Sequence, residues 1–176
     1  EVLRDAQAAG WERGNTLADA GSGAIAYADA VATYLALAID KLADLNNSFC
    51  RWEPKAQCPR NMFGGQAIAM AWDFAEANPF SGASGSFQVV IEGMVRALRN
   101  HSFSIGDTLA GVIEQSDASS RDYSGYAIVT DPPYYDMISY SDLSDFFYTW
   151  LRRSLSDVYP ELFRTMLTPK TEELVA

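Results

Sequence analysis

The residues best suited by type and order to do chemistry lie in one run, Asp131, Pro132, Pro133, Tyr134, Tyr135 and Asp136, directly after the apolar stretch Tyr126, Ala127, Ile128, Val129 and Thr130. An ionised Asp131 only accepts hydrogen bonds. Each proline fixes its own φ and shows a carbonyl with no accompanying N–H, so the turn is stiff and acceptor-rich. Tyr134 adds a flat ring on which a planar group can stack. Two acceptors, the Asp131 carboxylate and a proline carbonyl, beside an aromatic plate suit a planar ligand with an exocyclic NH₂ group.

Such a turn works only if regular elements hold it. Residues 109–115 and 126–130 are rich in Val and Ile and read as short strands, each leading to an acid, Asp117 and Asp131. A helix is expected over 142–155, with Leu143, Phe146, Phe147, Trp150 and Leu151 as its apolar face. Pro160 suits the first position of a further short helix. Strands alternating with helices indicate an α/β layer. In open α/β sheets ligands bind at the carboxyl ends of strands, where Asp131 would stand.

Upstream the texture is helical. The Ala-, Leu- and Val-rich stretch 24–45 contains neither Gly nor Pro and predicts a long, largely buried helix, with Asn46 and Asn47 as its stop. Residues 50–65 hold Pro54, Pro59 and a Gly pair and read as a loop. A helix is expected over 66–77, with Ile68, Trp72 and Ala75 on one face, followed by a Gly/Ser linker over 81–86. A third helix then runs to Arg99, carrying Val90, Met94 and Leu98. The resulting division is a mainly helical region, 1–105, and an α/β catalytic segment, 106–176.

Charge and composition narrow the function classes. Thirteen Lys and Arg against twenty-three Asp and Glu give a net charge of −10. Proteins grip phosphate backbones through Lys and Arg, so this chain alone is expected to bind DNA weakly. Cys50, Cys58 and the single His101 do not make the four paired ligands of a structural zinc site, and no metal is expected. The uncharged run 30–39 is about half the length of a membrane span. With no signal-like N-terminus, the expected location is cytoplasmic. Gly21-Ser22-Gly23-Ala24-Ile25-Ala26 fits a G-x-G-x-x-A cofactor loop in letters, but no apolar strand precedes it, and it reads as the start of a helix. Arg152 and Arg153 suit either phosphate contact or the negative end of a helix, and the latter is preferred.

Asp131-Pro132-Pro133-Tyr134 resembles the D-P-P-Y motif of S-adenosylmethionine-dependent amino-methyltransferases. The longer run DPPYYDMISYSDLSDFFYTWLRRSL, with YLALAIDKLAD and FGGQAIAMAWDFAEANPF upstream, is similar to the large multidomain adenine-specific DNA methylases. The resemblance implies a Rossmann-like methyltransferase portion and methylation of adenine N6 in DNA, with S-adenosylmethionine as cofactor. It implies that the target base flips out of the duplex. Asp131, Pro132, Pro133 and Tyr134 would form the catalytic set, Tyr135 and Asp136 would support the substrate, and Asp117 would touch the cofactor's adenine amino group. The family's Gly-rich cofactor loop is not found cleanly here, so the resemblance implies that the loop lies upstream and that this chain alone is an incomplete, inactive enzyme supplying the target-base pocket. Two other readings stay open: a methyltransferase acting on an RNA base or a protein amide, and a non-enzymatic interaction fragment without cofactor binding.

Overall fold

A computed structural model of the chain describes residues 1–64, 68, 70–104, 117–131 and 138–171. Its elements are α1 (Val2–Ala8), α2 (Ala24–Leu45), β1 (Trp52–Glu53), β2 (Cys58–Pro59), α3 (Phe87–Ser104) and α4 (Tyr140–Leu155). Helix α2 is the axis of the fold, with α1, α3 and α4 packed against it.

Helix α2 can take neighbours closely because its buried positions are mainly alanine: Ala24, Ala26, Ala36 and Ala38. It stops at Asn46, whose backbone N–H and side-chain Nδ2 both donate to the Leu42 carbonyl, at 2.8 and 3.1 Å. Asp44, near that end, gathers the following loop. Its carboxylate accepts from Asn61 Nδ2 and the Phe63 N–H, while its carbonyl accepts from the Met62 N–H and the Cys50 thiol. Phe63 is thereby held against Phe146 and Phe147 of α4, with ring centroids 5.6 and 5.1 Å away. Helix α3 starts at Ser86, whose hydroxyl accepts from the Val89 N–H in the manner of an N-cap.

The α/β, Rossmann-like expectation is wrong for this chain. The described residues are mostly helical, and their one sheet is a two-stranded antiparallel ribbon with Trp52 opposite Pro59 and Glu53 opposite Cys58. The physical reason lies in the stretch 126–130. Its residues have high β propensity, but a strand exists only through pairing. Here the backbone of residues 127–130 makes no hydrogen bond among the described residues, and Val129 is 96% exposed. The other expected strand, 109–115, lies outside the described residues.

The helix expected over 66–77 is also absent where the chain is described, at 68 and 70–77. Ile68, Met70, Trp72 and Phe74 recur every second residue, a strand-like period that competes with the helical spacing of Ile68, Trp72 and Ala75, and all four are exposed. Beyond Pro160 the chain forms turns rather than the expected short helix. Helix α2, expected to be largely buried, leaves Tyr34, Leu35, Leu37 and Ile39 exposed. No helix among the described residues is long and apolar enough to cross a membrane.

Candidate functional site

Asp131 closes the exposed stretch 126–130. Its carboxylate is exposed and has no hydrogen-bond partner among the described residues. Pro132, Pro133, Tyr134, Tyr135 and Asp136 lie outside the described residues. The chain is described again from Ile138, where the Tyr140 N–H donates to the Ile138 carbonyl at 3.0 Å and α4 begins.

The Ser139 side chain, at the N-cap of α4, makes no cap hydrogen bond, and contacts from far along the chain tie down the first turns of the helix. The Thr168 hydroxyl lies 2.8 Å from the Ser141 carbonyl and 2.6 Å from Asp145 Oδ1, sharing its one proton between them. The Thr168 N–H donates to the same Asp145 oxygen at 2.9 Å, and Lys170 Nζ reaches Asp145 Oδ2 at 2.6 Å. Lys170 also lies 3.6 Å from Asp142 Oδ1. The Lys170 ammonium and the two Thr168 donors hold the Asp145 carboxyl down at about 2. In return the carboxylate holds the Lys170 ammonium above its ordinary range.

The same C-terminal strap continues antiparallel along the helix. Tyr148 donates its hydroxyl to the Thr165 carbonyl at 2.9 Å, and Arg152 Nε donates to the Phe163 carbonyl at 3.3 Å. The Tyr148 and Phe163 rings lie 5.5 Å apart. Tyr159, at the start of the strap, shares a 3.1 Å hydrogen bond with Thr33 of α2. No local signal in the sequence points to this strap. The apolar spacing of α4 puts Trp150 rather than Tyr148 in the core, whereas Tyr148 is buried and Trp150 is 40% exposed.

Asp117 turns its carboxylate onto its own loop. Oδ1 accepts from the Ser119 N–H and the Ser119 hydroxyl, each at 2.8 Å, and these bonds lower its pKa. The residue is exposed, in a turn preceding Tyr123 and Tyr126. Arg121 lies over the Tyr126 ring at 5.9 Å from the centroid.

The letters Gly21 to Ala26 do not fit a cofactor loop in three dimensions. A phosphate or carboxylate is held at a helix start by free N–H groups. Here the Ala24 N–H is taken by the Glu12 carbonyl at 2.8 Å and the Ile25 N–H by the Arg13 carbonyl at 3.0 Å. The glycines instead let two loop strands cross. Gly23 has φ 90°, and a Cβ there would stand 2.6 Å from the Glu12 oxygen. The Ala24 and Ile25 N–H groups are therefore already engaged within the chain.

Among the described residues no group of three or more His, Cys, Asp and Glu is placed to hold a metal. Cys50 is buried and Cys58 partly buried, both as free thiols. One buried acid stands apart: Asp40 of α2 is 8% exposed, its Oδ1 has no hydrogen-bond partner, and burial pushes its carboxyl up to about 6. An apolar groove of about 690 Å³ runs between α2 and α3, floored by Gly93 and flanked by Leu37, Lys41 and Met94.

No protein-family model matches the chain, no curated protein matches it, and no solved structure matches it.

Proposed function

We propose that the chain forms part of an S-adenosylmethionine-dependent methyltransferase acting on N6 of adenine in DNA, and that it contributes the pocket for the target amino group. The reading rests on the run from Asp131 to Tyr134 and on its continuation into α4. The observation that carries it is the exposed Asp131 carboxylate, which makes no hydrogen bond within the described chain and is free to take one from a ligand. It follows an apolar stretch and is succeeded, after the prolines and Tyr134, by a helix whose first turns are tied down.

The role of these residues is positional. The amino group of a flipped adenine donates one hydrogen bond to the Asp131 carboxylate and one to the Pro132 carbonyl. With both protons engaged, the nitrogen lone pair points out of the ring plane, toward the methyl donor. Tyr134 stacks on the base. Holding reactants in line in this way accelerates transfer without acid–base chemistry at the start. The cofactor carries the methyl, and its binding is assigned to no described residue here. The chain's excess of acids places most of the grip on DNA phosphates outside these residues.

The test is incorporation of tritiated methyl from S-adenosylmethionine by the full-length protein that carries this chain, with unmethylated duplex DNA, RNA and peptide offered in parallel. Label in DNA that is recovered after digestion as N6-methyl-2′-deoxyadenosine is expected. Asp131→Ala is expected to lower it by roughly a hundredfold or more, the scale on which misplacing a reacting group acts. An Asp131→Ala protein that methylates DNA at the normal rate overturns the assignment.

A further inference from the structure

We propose that the groove between α2 and α3 binds the free anion of a single-chain fatty acid, with its carboxylate on Lys41 and its acyl chain along the apolar floor toward Tyr34 and Leu98. The inference is independent of the functional reading above. It begins from surface that the fold leaves uncovered. Tyr34 and Leu37 of α2 and Val89 and Leu98 of α3 all line the groove, and all four are exposed. Apolar surface gathered on a concave face is a mark of a binding site. At about 690 Å³ the groove has the size of a small-molecule pocket, roughly 300–1,000 Å³. Gly93 is a second observation. It stands inside α3, where glycine is unfavourable, and a Cβ there would meet nothing within 4 Å. Packing among the described residues gives no reason for a glycine at this position, whereas a large side chain would fill the floor of the groove.

The two ends of the groove differ, and the difference sets the polarity of the ligand. At one end α2 stops and α3 begins, joined by the 2.9 Å hydrogen bond from Asn46 Nδ2 to the Gly85 carbonyl. Lys41 lies about one turn before that end. It is the one charged side chain lining the groove among the described residues, and it makes no ion pair among them. The exposed Ser84 hydroxyl lines the same end, and the positive end of the α3 dipole lies there too. Away from it the walls turn apolar, through Leu37 on α2 and through Met94 and Ala97 on α3. From Lys41 back to Tyr34 is about 10 Å of helix, room for an acyl chain of medium length. The lysine stem can lie along the apolar wall while its ammonium meets the head group. Positive charge at one end and an apolar run behind it complement the head and tail of a fatty acid anion. Two copies of the chain, each of net charge −10, repel one another, which disfavours a second copy as the occupant. A phosphate backbone calls for a row of cations, and the groove offers one.

The probe is sodium decanoate below its micelle concentration, titrated into the chain and followed by calorimetry and by amide chemical shifts. Saturable one-to-one binding is expected, with shifts concentrated in α2 and α3. Affinity should rise about two- to fourfold for each CH₂ added from octanoate to laurate. Lys41→Met keeps the apolar stem and removes the charge. It should weaken decanoate about two- to fivefold, the range of an exposed ion pair, without weakening decyltrimethylammonium, which has the same tail and a cationic head. Gly93→Leu should abolish saturable binding while circular dichroism shows the helix content kept, since leucine is the better helix former. No saturable binding of decanoate overturns the proposal. So does binding that Gly93→Leu leaves intact, which would put the site elsewhere. Equal affinity for decanoate and decyltrimethylammonium, unchanged by Lys41→Met, would make the groove an unselective apolar surface and overturn the anionic head. A wild-type chain that dimerises where Gly93→Leu stays monomeric would assign the groove to a second copy and overturn the proposal as well.

Discussion

Replacing Asp40 by Asn should stabilise the fold at neutral pH. Asp40 is 8% exposed, and Oδ1 has no hydrogen-bond partner, so its charge is desolvated without compensation. Its carboxyl titrates near 6 in the folded chain against an ordinary 3.8. The sign follows from linkage. Between those two values the folded state holds a proton that the unfolded state has released, so stability falls as pH rises through the window. Below about 4 both states are protonated and the penalty vanishes; above about 6 it is complete. A shift of about two units corresponds to a ceiling of about 3 kcal/mol, and local relaxation brings the expected gain to about 1–3 kcal/mol. For a chain of this size that is a rise in Tm of about 2–8 °C. The assay is thermal unfolding of wild type and Asp40→Asn at pH 7.5 and at pH 3.5–4, read as the difference between the two proteins so that other titrating groups cancel. The gain should be present at pH 7.5 and absent in acid. A difference that is the same at both pH values, or an Asn variant less stable at pH 7.5, would show instead that Asp40 meets a donor or water where it lies.

Other outcomes follow from the same geometry. Gly23→Ala places a Cβ 2.6 Å from the Glu12 carbonyl oxygen at φ 90°, so it should cost about 1–3 kcal/mol in denaturant unfolding; a neutral result would mean the crossing of the two loops is not as described. Asp145, with its carboxyl held at about 2 by Lys170 and Thr168, contributes stability that is present above pH 4 and lost as pH falls toward 2. Acid-unfolding curves of Asp145→Asn should therefore lack that descending limb, and an unchanged curve contradicts the prediction. Val129→Thr, at a side chain 96% exposed, should alter the stability of the isolated chain by less than about 0.5 kcal/mol, and a large loss would place Val129 in a core. Calorimetry of the isolated chain with S-adenosylmethionine should show no micromolar binding at the start of α2, because the Ala24 and Ile25 N–H groups are already engaged; tight binding abolished by Gly21→Val would reverse that conclusion.

What the sequence reveals here depends on how local the cause is. Helix α2 is legible to its end residues because a Gly precedes an uninterrupted helix-forming run and Asn46 can fold back on Leu42. Helix α4 is legible except for its first two residues, since its apolar spacing is regular but its first turn is tied to Thr168, far along the chain. Helix α3 continues five residues past Arg99, where no Gly or Pro intervenes. The stretch 68–74 misleads because Ile68 and Trp72 are four apart and suit a helix, while Met70 and Phe74 complete a two-residue period that a helix cannot bury. Tyr126 to Thr130 misleads for the opposite reason: the composition is that of a strand, but pairing is a non-local matter that composition cannot supply. The Gly21 letters mislead because a glycine wanted for close backbone approach is indistinguishable in sequence from one wanted for a ligand. The strap is illegible altogether, since nothing local ties Asp145 to Lys170.

These features bear on how the proposed pocket acquires its strength. A hydrogen bond between an exposed carboxylate and an amino group merely replaces two bonds to water, and its net worth is about 1 kcal/mol. Asp131 as described stands in that weak regime. Excluding water strengthens the same contact, because the carboxylate can no longer be satisfied by solvent. The means of excluding it stand next to Asp131: Tyr126, Ile128 and Val129 are 66, 59 and 96% exposed, an apolar surface that contributes nothing to stability until it is covered. Covering these side chains would release roughly 1.5–3 kcal/mol for each large one fully buried. The same step would dry the carboxylate beside them. In the proposed pocket, selective recognition of an amino group at Asp131 would thus be coupled to the covering of residues 126–130.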